Sequence, residues 1–126
     1  MSEPVREVYI ALASVRVAEQ AEFYRKFLKV TPRPETAKYA EFQLPGLRLA
    51  IFEPKPESRS EFAATGAGPM SFCVEVDDLP RAIAHLTTLG YPPPGEIIHA
   101  SHGQEIYAYD PDGNRLILHQ SSKVDA

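Results

Sequence analysis

The chain has a single cysteine, Cys73, no tryptophan and only four histidines among its 126 residues. One cysteine cannot form an intrachain disulfide, which fits a reducing compartment. Lys and Arg (13) are fewer than Asp and Glu (17), so the net charge of −4 lacks the excess positive charge of a nucleic-acid-binding surface. No apolar run approaches the roughly 18 residues of a membrane-spanning helix, and "MSEPVREVY" lacks the features of a signal peptide. We therefore expect a cytoplasmic protein that binds neither nucleic acid nor membrane.

The chain length and the placement of proline indicate one domain made of two parts. At 14.0 kDa the chain is one domain's worth, or two small halves sharing a core. The 12 prolines cluster in "TPRP", "FEPKPES" and "YPPPG", which are typical of connections. The stretch 53–69, "EPKPESRSEFAATGAGP", has no clear periodicity. We predict a single domain over 1–126, composed of module 1 (5–53), a linker (54–68) and module 2 (69–121).

The first half shows strand and helix patterns in turn. "EVYIALAS" (7–14) alternates like a strand, and "VAEQAEFYRKFL" has apolar residues at spacings of a helix stripe. "KYAEFQL" and "LRLAIF" alternate again on either side of the turn "PG". A further strand around "TPRPET" is poorly marked. The first half therefore predicts the order β-α-β-β-β.

The second half repeats this order. "MSFCVEV" is a strand pattern, and "DLPRAIAHLTTLG" is a helix pattern with Asp77 or Asp78 as N-cap and Gly90 as its end. "EIIHAS", "EIYAY" and "NRLILHQ" follow as three short strands, and "DPDG" suits a type I turn with a bulge. An internal repeat of this kind predicts two similar modules.

Strand alternation sorts the side chains onto two faces of the predicted sheets. One face is apolar and should pack under the helices: Val8, Ile10, Leu12, Ala40, Phe42, Leu47, Leu49, Ile51, Phe72, Val74, Val76, Leu116 and Leu118. The opposite face mixes small residues, aromatic rings and a few charges, which suits a concave wall that binds a ligand. Its candidate ligand-binding residues are Tyr9, Arg48, Phe52, Ser71, Glu75, Tyr107, Tyr109, Arg115 and His119.

Three segments carry a resemblance to a known family. The duplicated plan, with "EFYRKFL", "FCVEVDDLPRAIAHLTTLG" and "YDPDGNRLILHQ", resembles the vicinal oxygen chelate superfamily of glyoxalases, bleomycin resistance proteins, fosfomycin resistance transferases and dioxygenases. The resemblance implies an α+β fold of two βαβββ modules, whose curled mixed sheets form a cup with the helices on the convex face. It also implies a homodimer, because many members of this size form dimers in which the cups are completed either by pairing or by swapping modules; the sequence does not distinguish the two.

The resemblance also implies where a metal would be held. Metal-dependent members of the family place ligands at positions that correspond here to Tyr9, Ala50, Ser71 and Ile117, the last replacing the glutamate that usually follows "DPDGN". None of these side chains is a good ligand for a divalent cation, which prefers imidazole, carboxylate or thiolate groups. We therefore predict that the family's metal site is lost and that the protein needs no metal or other cofactor.

The histidines leave two alternatives open. His119 lies on the mixed face and could act as an acid or base near neutral pH, or could simply bond to water or backbone. His99 and His102, in "HASH", could form a different metal site with His119, or could belong to a polar loop. In an extended segment their rings point to opposite sides, so such a site requires the chain to turn.

The charged residues and the cysteine leave further alternatives. Arg48, Arg115 and Glu75 could form cross-strand ion pairs, which contribute little at an exposed rim, or an anion clamp with a balancing carboxylate. We expect Cys73 to be a small buried hydrophobic residue, since a neighbouring Glu75 does not favour a reactive thiolate.

The favoured function is a metal-free protein that binds a small amphipathic or aromatic molecule in the cup. The first alternative is a metal-independent isomerase or lyase that uses His119 as its catalytic acid or base. The second is a structural or regulatory partner with a vestigial cup. The identity of the small-molecule ligand stays open.

Overall fold

The computed structural model describes residues 4–63 and 67–122. They fall into two compact units, Met1–Ala63 and Ala64–Ala126, here called unit 1 and unit 2. The described residues form two four-stranded mixed sheets and three helices, and the sheets are curled but not closed. This arrangement confirms the predicted α+β class.

Unit 1 follows the predicted order of elements. They are β1 (Ile10–Ala13), α1 (Val17–Leu28), β2 (Glu35–Thr36), β3 (Tyr39–Leu44) and β4 (Leu47–Phe52). The strand order in the sheet is β1-β4-β3-β2. The first strand runs parallel to β4, and the other neighbours are antiparallel.

Unit 2 repeats the same topology. Its elements are β5 (Phe72–Glu75), α2 (Leu79–Leu89), β6 (Ile98–Ala100), β7 (Gly103–Tyr109) and β8 (Arg115–Ser121). The strand order β5-β8-β7-β6 corresponds to that of unit 1, again with one parallel pair, β5 and β8. The internal repeat predicted from the sequence is therefore confirmed.

A 3₁₀ helix, Pro56–Phe62, lies inside the segment predicted to be a linker. None of its residues is buried, but the Phe62 ring packs edge-on against Phe52 with centroids 5.4 Å apart. Proline in the first turn has no backbone N–H to lose, which favours a helix start there. Three-residue helical spacing leaves little amphipathic signal in a short segment, which explains why the sequence pattern did not predict it. Residues 64–66 of the linker lie outside the described residues.

Each helix covers the apolar face of the sheet in its own unit. In unit 1, Tyr24 is fully buried and packs against Phe42, with ring centroids 6.3 Å apart. In unit 2, Leu79 and Leu86 of the helix are fully buried, as are Leu116 and Leu118 of β8. Burying each large apolar side chain stabilises the fold by about 1.5–3 kcal/mol. The opposite face of each sheet is therefore not used to pack against that helix.

Two predictions about the strands are wrong. The first strand was predicted over 7–14 with Val8 on the buried face, but β1 begins at Ile10 and Val8 is 80% exposed. The parallel pairing with β4 begins at Ile10, so Val8 precedes the sheet and no helix covers it. Cys73 was predicted to be buried, yet it is exposed. It lies on an edge strand and on the face opposite α2, whereas Phe72 and Val74 alternate to the other face.

The ends of α2 and the last hairpin agree with the prediction. Of the two candidate N-caps, Asp78 is the residue whose side chain accepts from the Arg81 backbone N–H, at 3.0 Å, and Gly90 ends the helix with φ of 95°. In the "DPDG" turn, the Gly113 N–H donates to the Asp110 carbonyl and Gly113 has φ of 87°. A type I turn followed by a left-handed glycine makes the bulge that was predicted.

No helix in the ranges 4–63 and 67–122 is long and apolar enough to cross a membrane.

Candidate functional site

The face of the unit 2 sheet opposite α2, here called the open face of unit 2, contains six of the nine predicted ligand-binding residues. The strand register arranges its side chains in rows across the sheet. One row joins Glu75, His119 and Glu105, and the next joins Cys73, Ile117 and Tyr107; Arg115 and Tyr109 form a third pair. Ser71 precedes β5 and accepts a hydrogen bond from Arg115 at 3.2 Å. The remaining three residues, Tyr9, Arg48 and Phe52, belong to unit 1.

His119 lies at the centre of a chain of hydrogen bonds between side chains. Its Nδ1 is 2.7 Å from Glu75 Oε1, and its Nε2 is 3.0 Å from Nδ1 of His102. The two imidazole rings stack with centroids 5.1 Å apart. Because a carboxylate can only accept, His119 Nδ1–H donates to Glu75 and Nε2 keeps its lone pair. The simpler prediction, a histidine bonded only to water or backbone, is therefore wrong.

Glu75 is held as a carboxylate in this chain. Its second oxygen accepts from both the backbone N–H and the hydroxyl of Ser121, each at 2.8 Å. Burial raises the pKa of Glu75, but the hydrogen bonds from His119 and Ser121 together outweigh it, so the net pKa is lowered. An ionised Glu75 keeps the proton of His119 on Nδ1 and the lone pair of Nε2 on the side facing His102.

His102 reaches this chain because "HASH" does turn. Ala100 pairs with Gly103, so residues 101–102 form a tight turn between β6 and β7. The Ser122 N–H donates to the His102 carbonyl at 3.1 Å, which anchors the turn. His99 is exposed and pairs with Gln104, and so alternates to the other face of the sheet. Only His102 of the two therefore joins His119.

A three-residue group on this face could hold a metal ion. The group consists of His102, Glu105 and His119. Each residue offers one ligand atom, and the three atoms lie within 4.8 Å of one another. The four positions implied by the family resemblance do not fit a divalent cation. Ile117 and Ala50 have no donor atom, the Ser71 hydroxyl contacts Arg115, and the Tyr9 ring stacks on a guanidinium.

The rest of the open face of unit 2 is apolar and aromatic with one cation at its end. Ile117 lies between Cys73 and Tyr107, and Tyr107 is 41% exposed. Arg115 donates to the Gly68 carbonyl at 2.9 Å and to Ser71, and forms no ion pair with the described residues. The predicted cross-strand pair between Arg115 and Glu75 is absent from that part of the chain, because the register places Glu75 opposite His119, four residues along β8 from Arg115. The arrangement can accommodate an apolar body with an anionic group near Arg115.

The corresponding face of unit 1 has a different character. Glu41 is only 8% exposed and accepts from the Tyr39 hydroxyl at 2.6 Å, Gln43 Nε2 at 2.6 Å and Arg48 NH1 at 3.0 Å. Arg48 also pairs with Glu7 and lies over the Tyr9 ring, 4.1 Å from its centroid. Arg48 is thus neutralised by two carboxylates, which supports the ion-pair alternative for this residue rather than an anion clamp.

The hydrogen bonds shift the pKa values of this group in opposite directions. The bond from Tyr39, followed by that from Arg48, lowers the pKa of Glu41. The same bond to Glu41, with burial, raises the pKa of Tyr39 to about 12. Sequence reasoning missed Tyr39 and the central role of Glu41. The alternation of Tyr39, Glu41 and Gln43 in β3 was the available signal, since it places all three on one face.

A cavity of about 310 Å³ lies beside the β6–β7 hairpin. Its lining residues are His99, Ala100, Gly103, Gln104, Gln120, Ser121 and Ser122. None of them is a predicted ligand-binding residue, but Ser121 also donates to Glu75, so the cavity adjoins the row of Glu75, His119 and Glu105.

Solved structures with the same fold include proteins of several activities. A glyoxalase-related enzyme from Fulvimarina pelagi has 18% identity and a TM-score of 0.74, covering 93% of this chain and 89% of that one. A lactoylglutathione lyase from Agrobacterium tumefaciens has 20% identity and a TM-score of 0.69, with coverage of 93% and 95%. A fosfomycin resistance protein from Listeria monocytogenes, complexed with Mn(II) and sulfate, has 16% identity and a TM-score of 0.75, with coverage of 96% and 94%. At these identities the likeness establishes the fold alone.

Sequence comparisons identify the family. A search of curated proteins gives no match. The profile of the Glyoxalase/Bleomycin resistance protein/Dioxygenase superfamily matches residues 8–118, which include most of both repeats and end one residue before His119. The chain therefore belongs to the Glyoxalase/Bleomycin resistance protein/Dioxygenase superfamily.

Proposed function

We propose that this protein binds a small amphipathic or aromatic molecule on the open face of unit 2, without a metal ion at the family's four ligand positions. The observation that carries the proposal is the row of Cys73, Ile117 and Tyr107, with Arg115 beyond it. At the position where metal-dependent relatives place a glutamate, this chain has Ile117. An aromatic ligand can contact its apolar side chain and the side chains of Cys73 and Tyr107 on either side of it.

The residues on either side of this row along β8 supply the polar contacts that orient a ligand. Arg115 has hydrogen bonds to Gly68 and Ser71 but no carboxylate partner among the described residues, so its charge is available to an anionic group. His119 lies on the other side of the row from Arg115. It is two residues along β8 from Ile117 and therefore about 7 Å away from it. Tyr109 pairs with Arg115 across the strands and extends the aromatic surface.

The contrast with unit 1 supports placing the ligand in unit 2. Arg48 is occupied by Glu41 and Glu7 and is covered by Tyr9. A ligand anion would have to displace two carboxylates from that guanidinium, whereas Arg115 has none to displace.

Fluorescence titration tests this proposal. We expect the tyrosine fluorescence of the full chain to change and saturate with at least one member of a panel of glycopeptide and aromatic antibiotics. The titration is made in the presence of a chelator, so that metal binding does not contribute. No change with any of these compounds would contradict the proposal.

Two pairs of variants locate the site. Ile117→Glu introduces a charge into the apolar row and should abolish the saturable change, while the volume-conserving Ile117→Leu should retain it. Arg115→Gln should weaken the binding of only the anionic compounds in the panel. Its control is Arg81→Gln, an exposed arginine of α2 outside the open face. Equal binding by Ile117→Glu and Ile117→Leu would overturn the location.

A second candidate function is supported by the contact between Glu75 and His119. A carboxylate that holds Nδ1–H leaves Nε2 as a general base, as required for a metal-independent isomerase or lyase acting on a small oxygenated substrate. In that case His119→Gln should abolish turnover and Glu75→Gln should lower kcat more than it changes KM. Unchanged turnover by His119→Gln would exclude a catalytic role for His119.

The assembly and location that we propose follow the sequence expectations. The protein is a homodimer in the cytoplasm, where a reducing environment suits an exposed, unpaired cysteine.

A further inference from the structure

We propose that His102, Glu105 and His119 form a binding site for a divalent transition-metal ion of the zinc type, separate from the four family positions. This inference goes beyond the proposed function and departs from the sequence prediction of a protein without metal. The site shares only His119 with the proposed ligand contacts, so small-molecule binding and cation binding can succeed or fail separately.

The three donor atoms already lie near a coordinating geometry. They are within 4.8 Å of one another, and the two imidazole nitrogens are 3.0 Å apart. Zinc binds imidazole nitrogen at about 2.0–2.1 Å, which in a tetrahedral site separates two such nitrogens by roughly 3.3 Å. The ion would replace the proton now shared by His102 and His119, whose nitrogen–nitrogen distance is within a few tenths of an ångström of that value.

Glu75 prepares His119 to act as a ligand. Because Glu75 accepts the Nδ1–H of His119 at 2.7 Å, the lone pair of Nε2 faces Nδ1 of His102. A carboxylate that orients a histidine in this way is the usual outer partner of a metal-bound imidazole. Glu75 is itself held by two bonds from Ser121, so the orientation does not depend on an unsupported surface side chain.

Glu105 supplies the third donor and is not engaged elsewhere. It is directly opposite His119 in the register of β7 and β8. Its carboxylate has no hydrogen bond or ion pair with other side chains in ranges 4–63 and 67–122. A partly buried carboxylate without a hydrogen-bonding partner is unfavourable, and a bound cation would remove that cost.

The donor set indicates the class of cation. Two imidazoles and one carboxylate suit zinc and its neighbours, whereas magnesium and calcium require oxygen ligands. Three protein ligands leave a fourth position for water or for an anionic group of a bound molecule. His102 is exposed and the other two ligands are half-buried, so the ion can enter from solvent.

Calorimetric titration of the chelator-treated full chain with zinc chloride tests the site. We expect one zinc ion per chain and no binding of magnesium. Cobalt(II), added in place of zinc, should give the intense visible absorption of a tetrahedral nitrogen and oxygen site. His102→Ala, Glu105→Gln and His119→Ala should each lose this absorption.

Two further variants separate the site from ordinary surface histidines. Glu75→Gln keeps all three ligands and should weaken zinc binding about 10–100-fold. His99→Ala is the matched control, because it removes a histidine of the same "HASH" segment that lies on the other face. Its zinc affinity should equal that of the unsubstituted chain. Circular dichroism of each variant without metal confirms that it is folded.

The outcomes decide the proposal. Absence of zinc binding by the unsubstituted chain overturns it, and so does equal loss of affinity in His99→Ala and His119→Ala. Zinc binding without any response to the antibiotic panel would leave this site in place and overturn the proposed function. A response to the antibiotic panel in the presence of chelator, without zinc binding, would support the proposed function and overturn the zinc site.

Discussion

At the scale of single residues, the Glu41 carboxylate organises the sheet face of unit 1 that lies opposite α1. It accepts hydrogen bonds from Tyr39, Gln43 and Arg48 while remaining nearly buried. A carboxylate with three donors is stabilised in its ionised form, and the phenol that donates to it is stabilised in its protonated form. The two pKa values therefore move apart, and both depend on the same contact.

The phenol of Tyr39 should titrate later than a free tyrosine. The pKa of Tyr39 is raised from 10.0 to about 12, so its contribution to stability is complete below pH 10 and is lost as the pH rises towards 12. Ultraviolet titration of phenolate should show a late step to which Tyr39 contributes. Glu41→Gln should move this step towards 10, since the charge that opposes the phenolate is removed.

The matched variant for this titration is Tyr39→Phe, which should remove the contribution of Tyr39 and so reduce the amplitude of the late step. An unchanged amplitude in Tyr39→Phe would contradict the contact with Glu41. The acid side provides a second check. The lowered pKa of Glu41 means that its contribution to stability is present above 4.5 and lost as the pH falls through the lower value.

At the scale of elements, the β6–β7 hairpin determines which histidine reaches the open face of unit 2. Residues 101–102 turn so tightly that Gly103 adopts φ of 144°, a conformation that favours glycine. A Cβ at this position would lie 2.2 Å from the backbone oxygen of Gln120. Glycine therefore allows the start of β7 to approach β8 closely, and this approach places His102 beside His119.

Replacing this glycine should destabilise unit 2. Gly103→Ala combines an unfavourable φ with a clash against backbone, and we expect it to lower the free energy of unfolding by about 1–3 kcal/mol. Gly95→Ala is the control, since no atom lies within 4 Å of its added Cβ and its φ is not positive. Its unfolding free energy should change by less than about 1 kcal/mol. Denaturant unfolding measures both, and equal effects would contradict this account of the hairpin.

At the scale of the whole molecule, one topology has been used twice with different results. The strand orders β1-β4-β3-β2 and β5-β8-β7-β6 correspond, and each unit has one helix on its sheet. On the sheet face opposite its α-helix, unit 1 has an ion-pair network, whereas unit 2 combines an apolar row with histidines and an arginine that has no carboxylate partner among the described residues. A repeated fold thus leaves each copy free to acquire its own surface chemistry.

The solution mass tests the proposed homodimer. We expect light scattering at increasing protein concentrations to approach twice the 14.0 kDa mass of the chain. Large apolar side chains such as Val5, Val8 and Met70, which are 74–80% exposed in the single chain, are candidates for burial by a second copy. A mass of one chain at every concentration would exclude the homodimer.

Much of the fold could be predicted because its signals are local. Alternation in "LRLAIF" located β4 without error, and Asp78 and Gly90 mark the ends of α2 through their own backbone and side-chain chemistry. The start of β1 could not be predicted, because the pattern continues through Val8 while the pairing with β4 does not. The predicted site residues are less complete, since Tyr39, Glu41 and Glu105 were not among them and His102 was considered only as one alternative.

The sequence by itself determined the repeat, most of the elements and the side chains at the four positions implied by the family resemblance, because these depend on which residue occupies each position and on its immediate neighbours. Only the tertiary structure decided that Glu75 pairs with His119 rather than with Arg115, that Cys73 is exposed, and that His102 joins His119 across 17 residues of sequence. Contacts of this kind depend on strand register and on the geometry of a tight turn. A change of one residue in either would move the same side chains to opposite faces of the sheet.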